Sequence, residues 1–359
     1  MLSPPSLRFL GGGVAAHLYA LAAREAWPAI PLDVRMIDPD VEAPERTLCV
    51  WGEPLPLLSH AIVAEWHTLR FGFEDQTWEC DLGDWTYRQY TARSIRELVD
   101  RTMHVHRDVA VAGDPTDLQV LSLDSRRQQP LRREASVSML QHFQGRRIRT
   151  PEAMFTPDVA VMMDFRTDQS DGVCFVYVLP YSATEALVEC TVFGPEVWPD
   201  ALYARRLDTY IASVLCCSEY ETVATEVGSI PMCDAVPERQ RAQNWIAIGG
   251  AAGLTKATTG YTVARCVRDA STLFTSMLTT GVASAPARPP RRFDWYDRLL
   301  LRIIRDEPEV VPRILWTLFR RNPVRRILMF LDERTTLWQE IAMFWTLPWR
   351  PFLRAIVRR

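Results

Sequence analysis

Three consecutive glycines, Gly11, Gly12 and Gly13, separate a short apolar run from an Ala/Leu-rich segment near the N-terminus. Residues 7–10 read as a strand, 14–24 have the composition of a helix, and 32–37 alternate as a second strand ending at Asp38. Strand, glycine turn, helix, strand and acid are the order of a Rossmann dinucleotide site. Glycines let the backbone approach a pyrophosphate, which the unpaired N–H groups and dipole of a helix N-terminus favour. Ala16 stands where the fingerprint has its third glycine, and Asp38 is placed to accept hydrogen bonds from a ribose hydroxyl. Arg8 followed by an apolar run to Ala22 could pass for a signal peptide. The glycines, His17 and the lack of a basic cluster favour a cofactor turn instead.

From about Trp51 to Ile230 the pattern is strand-like. Residues 159–164, 172–179 and 186–193 are apolar runs separated by turn material such as Asp168-Gln169-Ser170-Asp171-Gly172. This predicts a mixed sheet laid over the cofactor as a second layer. Residues 245–248 read as another buried strand, running into Gly249, Gly250 and Gly253. After Thr258, Thr259 and Gly260 a helix continues through Tyr261 to about Met277, repeating the anion-friendly turn late in the chain. Residues 284–290 are a Pro/Ala-rich linker.

The expected organisation is a βαβ unit over 1–50, then a mainly mixed-sheet substrate region over 51–235 with some segments returning to the first domain. A return segment over 236–285 and a helical C-terminal cap over 286–359 follow. Such a late return is the habit of large FAD-dependent enzymes. The fold class is therefore α/β (α+β), a Rossmann-like FAD-binding domain with a mixed-sheet substrate domain of the hydroxybenzoate-hydroxylase type.

A net charge of -3 argues against nucleic acid as the main partner. The mean hides an asymmetry, because residues 288–359 hold sixteen Arg against eight acids. Large apolar residues are interleaved with these arginines, among them Trp295, Trp316, Phe319, Phe330, Trp338, Phe344, Trp345, Trp349 and Phe352. They read equally as the core of a helical cap or as a surface seated in a membrane interface. No run reaches the length of a membrane-spanning helix. Eight scattered cysteines without a CxxC pair read as buried thiols of a reducing compartment. His104 and His106 lack a nearby third ligand, so no metal is expected.

Six segments, in order from Leu7 to Val267, resemble the flavin-dependent lycopene cyclase family, especially its bacterial β-cyclases. They are LRFLGGGVAAHLYAL; RMIDPD with ERTLCVW, which carries Arg46, Thr47 and Trp51; the Leu123-Asp124-Ser125-Arg126 strand end; VMMDFR with Asp164; FVYVLPYSATEALVECT; and IAIGGAAGLTKATTGYTVARCV. The resemblance implies reduced FAD as cofactor, NAD(P)H as reductant and lycopene or a related acyclic carotenoid as substrate. It also implies a cytoplasmic protein, peripheral at the inner face of the cytoplasmic membrane. Flavin-site residues carried over are Gly11, Gly12, Gly13, Ala16, Asp38, Arg46, Asp124, Gly249, Gly250, Gly253, Thr258, Thr259 and Gly260.

Cyclising a polyene end requires a proton delivered to a carbon–carbon double bond in a dry pocket, by a carboxylic acid that burial keeps neutral. Glu189 lies in an apolar strand and shares a face with Leu187 and Thr191. By pattern alone it would more often be an exposed edge residue, but the family's acid falls at this position. Many relatives carry a second acid next to it, where this chain has Cys190, so Glu189 is expected to act without a carboxylate partner. Asp164 is either a second acid/base or a structural strand-end acid. Lys256, the chain's single lysine, either favours an anionic flavin or is merely solvated. Rival readings are an FAD monooxygenase, against which Gly250 stands where a late-motif Asp is usual, and a non-catalytic carotenoid- or flavin-binding protein.

Overall fold

The computed structural model of the chain describes residues 6–37, 45–109, 119–126 and 135–357. Asp38, assigned above to a ribose, lies outside them. Strand β1 (Ser6–Leu10) buries Leu7 and Phe9, helix α1 (Val14–Ala26) follows the glycine turn, and β2 (Val34–Ile37) returns parallel to β1. The Ala/Leu composition of α1 suits a helix buried continuously from Ala16 to Ala23, because small side chains allow close packing on all sides.

Five further strands belong to other sheets: β3 (Thr47–Gly52) and β4 (Ala64–Trp66) each pair with β7 (Thr86–Thr91), while β5 (Thr68–Phe73) and β6 (Gln76–Asp81) form a hairpin. Helix α2 (Ala92–Thr102) then leads back to the first sheet, which gains β8 (His106–Asp108) and β9 (Val120–Asp124). The first sheet is completed by β15 (Gln240–Ala242) and β16 (Trp245–Ala247), in the order β15-β16-β9-β1-β2-β8. All its pairings are parallel except β15 with β16. Helix α4 (Val263–Thr280) packs beside α1. It starts at Val263, later than the sequence suggests, because Gly260 takes φ of 73° and the chain must still turn through Tyr261 and Thr262.

The larger sheet joins β5 and β6 to β10 (Ser138–Arg149), β11 (Val159–Asp164), β12 (Val173–Pro180), β13 (Glu185–Gly194) and β14 (Glu221–Cys233). Its order is β14-β10-β13-β12-β11-β5-β6. Both faces are covered, which is why β12 and β13 read as continuous apolar runs without alternation. On β13, Ala186, Val188, Cys190 and Val192 face helix α3 (Asp200–Ser213), while Leu187 and Phe193 face the opposite way.

That opposite face packs on the C-terminal helices α5 (Arg292–Asp306), α6 (Val311–Arg321), α7 (Val324–Leu331), α8 (Leu337–Phe344) and α9 (Trp349–Val357). The Phe319 ring stacks on Phe71 at 4.2 Å, fixing α6 to β5. None of the described helices is long and apolar enough to cross a membrane.

Candidate functional site

The two glycine turns meet. Gly11 holds φ of 99°, and a Cβ there would lie 2.5 Å from the Ser125 hydroxyl. That hydroxyl donates to the carbonyls of Leu10 and Gly11, locking the end of β9 onto the turn. Gly249 of the late turn approaches so closely that its Cβ would sit 2.6 Å from Ala15. Gly13 is the N-cap of α1, with no side-chain cap and nothing within 4 Å of where its Cβ would be. The orphan N–H groups of the first helical turn therefore open onto free space, as a bound anion requires.

That space is a cleft of about 1470 Å³, counting its open mouth. Gly13, Val14 and Ala15 line one end with Ser125 and Gly250, and Arg46, Thr259 and Gly260 also line the cleft, Gly260 against Gln141 and Ile230 of the large sheet. The other end reaches the large sheet at Phe143, Tyr177, Leu179, Leu187 and Glu189. The cleft thus joins the open helix N-terminus to the apolar and acidic end at the large sheet.

Glu189 is 9% exposed and projects from the middle of β13 into the cleft. Thr191, two residues along the same face, donates to Glu189 Oε1 at 3.1 Å. Register places it in a row across four strands: Tyr177 of β12, Glu189, Gly145 of β10 and Glu226 of β14. Gly145 has no side chain to separate its neighbours, and a Cβ there would lie 3.2 Å from Glu226 and 3.3 Å from Glu189. The two carboxyl groups thus stand as neighbours across the glycine. Burial, and then the nearby charge of Glu226, push Glu189 well above the usual carboxylic range. The expectation of an acid without a carboxylate partner is corrected here: the partner comes from a distant strand, not from the adjacent residue. A glycine inside a strand often marks such a close approach, and Gly145 was the sequence signal for it.

Tyrosines surround this end of the cleft. The hydroxyls of Tyr87 and Tyr261 are 2.8 Å apart, and the Tyr261 ring packs on Trp51 at 4.2 Å. Neither tyrosine stands out in the sequence, because each is brought in by a different element.

Several residues assigned from the sequence lie elsewhere. Cys190 points to the opposite face, with its sulfur 3.5 Å from that of Cys174 beneath α3. Asp164 does not line the cleft; its buried carboxylate is held by Arg166 at 2.6 Å and by the Tyr210 hydroxyl at 2.7 Å. A second acid/base role for it is thus unsupported, and the strand-end reading fits. Asp124 is likewise occupied by Arg126, Arg241 and Trp245, and its neighbour Ser125 reaches the cleft instead. Thr258 turns its hydroxyl to Asp297, Ala16 is packed in the core, and Gly253 closes the short turn after Gly249. Gly12 is buried within the first turn. Lys256 is neither at the cleft nor solvated. Its ammonium is buried between Asp297 at 2.7 Å and Glu333 at 3.1 Å, and Arg265 also binds Glu333.

A parallel βαβ sheet with two converging glycine turns, beneath a mixed sheet, defines a Rossmann-type flavoprotein fold. A geranylgeranyl bacteriochlorophyll reductase-like protein from Thermoplasma acidophilum shares it at TM-score 0.54 and 13% identity, over 99% of this chain and 96% of its own. A triple mutant of the flavin-dependent brominase Bmp2 aligns at TM-score 0.57 and 13% identity, over 99% of both chains. A flavoprotein/dehydrogenase from Cytophaga hutchinsonii gives 0.57 and 12% identity, over 94% of this chain and 95% of that one. The sequence profile described as "Lycopene cyclase protein" matches residues 7–357, and the chain belongs to the lycopene cyclase family. Among curated proteins, none matches in sequence.

Proposed function

We propose that the protein is a lycopene β-cyclase, converting the acyclic ψ-ends of lycopene to β-rings to give γ-carotene and β-carotene. The observation that carries this reading is Glu189, an acid kept neutral by burial in a cleft whose far end is an open helix N-terminus. The Glu189 carboxyl delivers its proton to the terminal double bond, leaving a tertiary cation. The neighbouring double bond attacks, one carbon–carbon bond forms, and loss of one ring proton restores neutrality without net oxidation. Tyr87, Tyr177, Tyr261 and Phe143 turn aromatic surface toward the cation's position, where ring faces attract positive charge. Leu179, Leu187 and Ile230 exclude water that would trap the cation as an alcohol.

The Gly11–Gly13 turn, the first turn of α1, Arg46, Ser125, Gly250, Thr259 and Gly260 fit FAD, with NAD(P)H as its reductant. Reduced and anionic, that cofactor would supply a fixed counter-charge to the cation. The residues around it need only hold it and keep the cleft dry.

Lycopene is a hydrocarbon that dissolves in bilayers, and the C-terminal helices are suited to meet it there. Trp338, Trp345 and Trp349 are 80%, 89% and 62% exposed, beside exposed Leu337, Ile341, Leu353 and Ile356. The phenylalanines of the same segment turn inward, so its aromatics divide between core and surface. An exposed apolar face flanked by arginines fits peripheral docking on the inner face of the cytoplasmic membrane.

Expression in a lycopene-accumulating host tests the reading. The expected pigment is an isomer of lycopene shifted from red to orange-yellow. Glu189→Gln should lower product formation by about 10²- to 10⁴-fold while flavin stays bound. Unchanged lycopene with the wild-type chain, or near-normal cyclisation by the variant, would overturn it. A product heavier by oxygen would point to a monooxygenase.

A further inference from the structure

We propose that Glu226 is a positioning residue for Glu189: the two carboxyl groups share one proton across Gly145, and Glu226 keeps that proton on the cleft-facing member. The inference rests on the cyclase reading above. Three observations carry it.

Pairing of β10 with both neighbours sets Gly145 directly between Glu189 and Glu226, the place where any larger residue would part them. Glu226 is itself aimed by Thr47, which donates to its Oε2 at 2.7 Å and is in turn bound by Gln89. Its other oxygen, Oε1, is buried with no donor from any fixed N–H or O–H group. A proton on Glu189 supplies that missing donor, and nothing else in the row does. Glu226 does not line the cleft, so it acts through Glu189 and not on the substrate.

The other groups facing Glu189 are Tyr177 of β12, Tyr261 ahead of α4, and Cys49 of β3. Burial raises both tyrosines and pushes the Cys49 thiol up to about 12, so all three are neutral at neutral pH. Arg147, two residues from Gly145 on β10, is engaged by Glu185 and lies over the Tyr181 ring. Arg46 also lines the cleft. When Glu189 releases its proton to the alkene, two carboxylates stand together, and their combined charge faces the new cation. The proton lost from the ring returns the pair to its starting state, so one proton is held before and after each turnover.

The test is the pH dependence of kcat/KM for the purified full chain, with reduced FAD and lycopene dissolved in phospholipid vesicles. For the wild type, activity falls as pH rises through the Glu189 ionisation. Glu226→Gln removes the like charge and offers an amide donor, which favours ionised Glu189. Its alkaline limb should therefore move down by about one pH unit or more, with cyclisation retained on the acid side. Gly145→Ala should move the limb the same way by wedging the pair apart. It provides the test if Glu226→Gln does not fold.

Limbs unmoved in both variants would overturn the proposal. So would loss of activity at every pH without a shift. Provided the wild type cyclises and Glu189→Gln does not, either result leaves the cyclase reading standing. Near-normal activity of Glu189→Gln would instead remove both.

Discussion

Glu189 shows how one side chain is tuned by its neighbours. A carboxylate in an apolar strand costs several kcal/mol unless it is compensated, so a buried glutamic acid keeps its proton instead. The folded chain then holds a proton that the unfolded chain releases, from the ordinary glutamate range up to the raised value in the cleft. Within that window, stability falls as pH rises, because the folded state binds more protons. Glu189→Gln cannot ionise, so denaturant titrations from pH 5 to 9 should show the variant gaining on the wild type as pH increases. Parallel stability curves for the two proteins would mean that Glu189 is ionised throughout. The same substitution thus separates two roles of one residue, with lower activity but better tolerance of alkali.

At the level of elements, the turn between β1 and α1 is tightly constrained. Gly11 needs a left-handed conformation and leaves no room for a Cβ beside Ser125. Gly11→Ala should cost roughly 1–3 kcal/mol and lower the bound flavin of the purified protein, measured by absorbance. A variant with full flavin and unchanged stability would show that the turn relaxes freely. This turn was legible in the sequence because local geometry dictates it: three glycines, a helix former and a strand in fixed order. Glu189 was located by its place in a motif, whereas its partner was not. Glu226 lies in β14, some forty residues further on, and meets Glu189 only because β10 enters the sheet between the two strands. Strand order at that distance is set by tertiary packing, which period and composition do not report. Asp164 and Asp124 mislead for a related reason. An acid at a strand end is equally suited to a ligand or to an arginine, and here Arg166 and Arg126 are each two residues away.

On the scale of the whole molecule, the protein has a wet face and a greasy one. Trp338, Trp345 and Trp349 sit on α8, just beyond it and at the start of α9, on the side away from the core. Replacing all three with serine should weaken binding to phospholipid vesicles by roughly tenfold or more, while turnover of detergent-solubilised lycopene is spared. Co-sedimentation with vesicles measures the first and pigment assay the second. Undiminished sedimentation would show that these tryptophans do not carry vesicle binding.

The buried Lys256 makes this face inseparable from the rest of the protein. Lys256 itself belongs to the late turn ahead of α4, but the two counter-ions of its ammonium, Asp297 and Glu333, belong to the C-terminal cap. A substitute cap that kept the burial but lacked these acids would leave a desolvated positive charge unpaired, the kind of loss that costs about 3–5 kcal/mol. The cap is therefore not a module that can be exchanged between relatives at the 284–290 linker. A chimera would have to carry the acids opposite Lys256 along with the new helices, so the tryptophan-bearing cap and the late glycine turn can diverge only together.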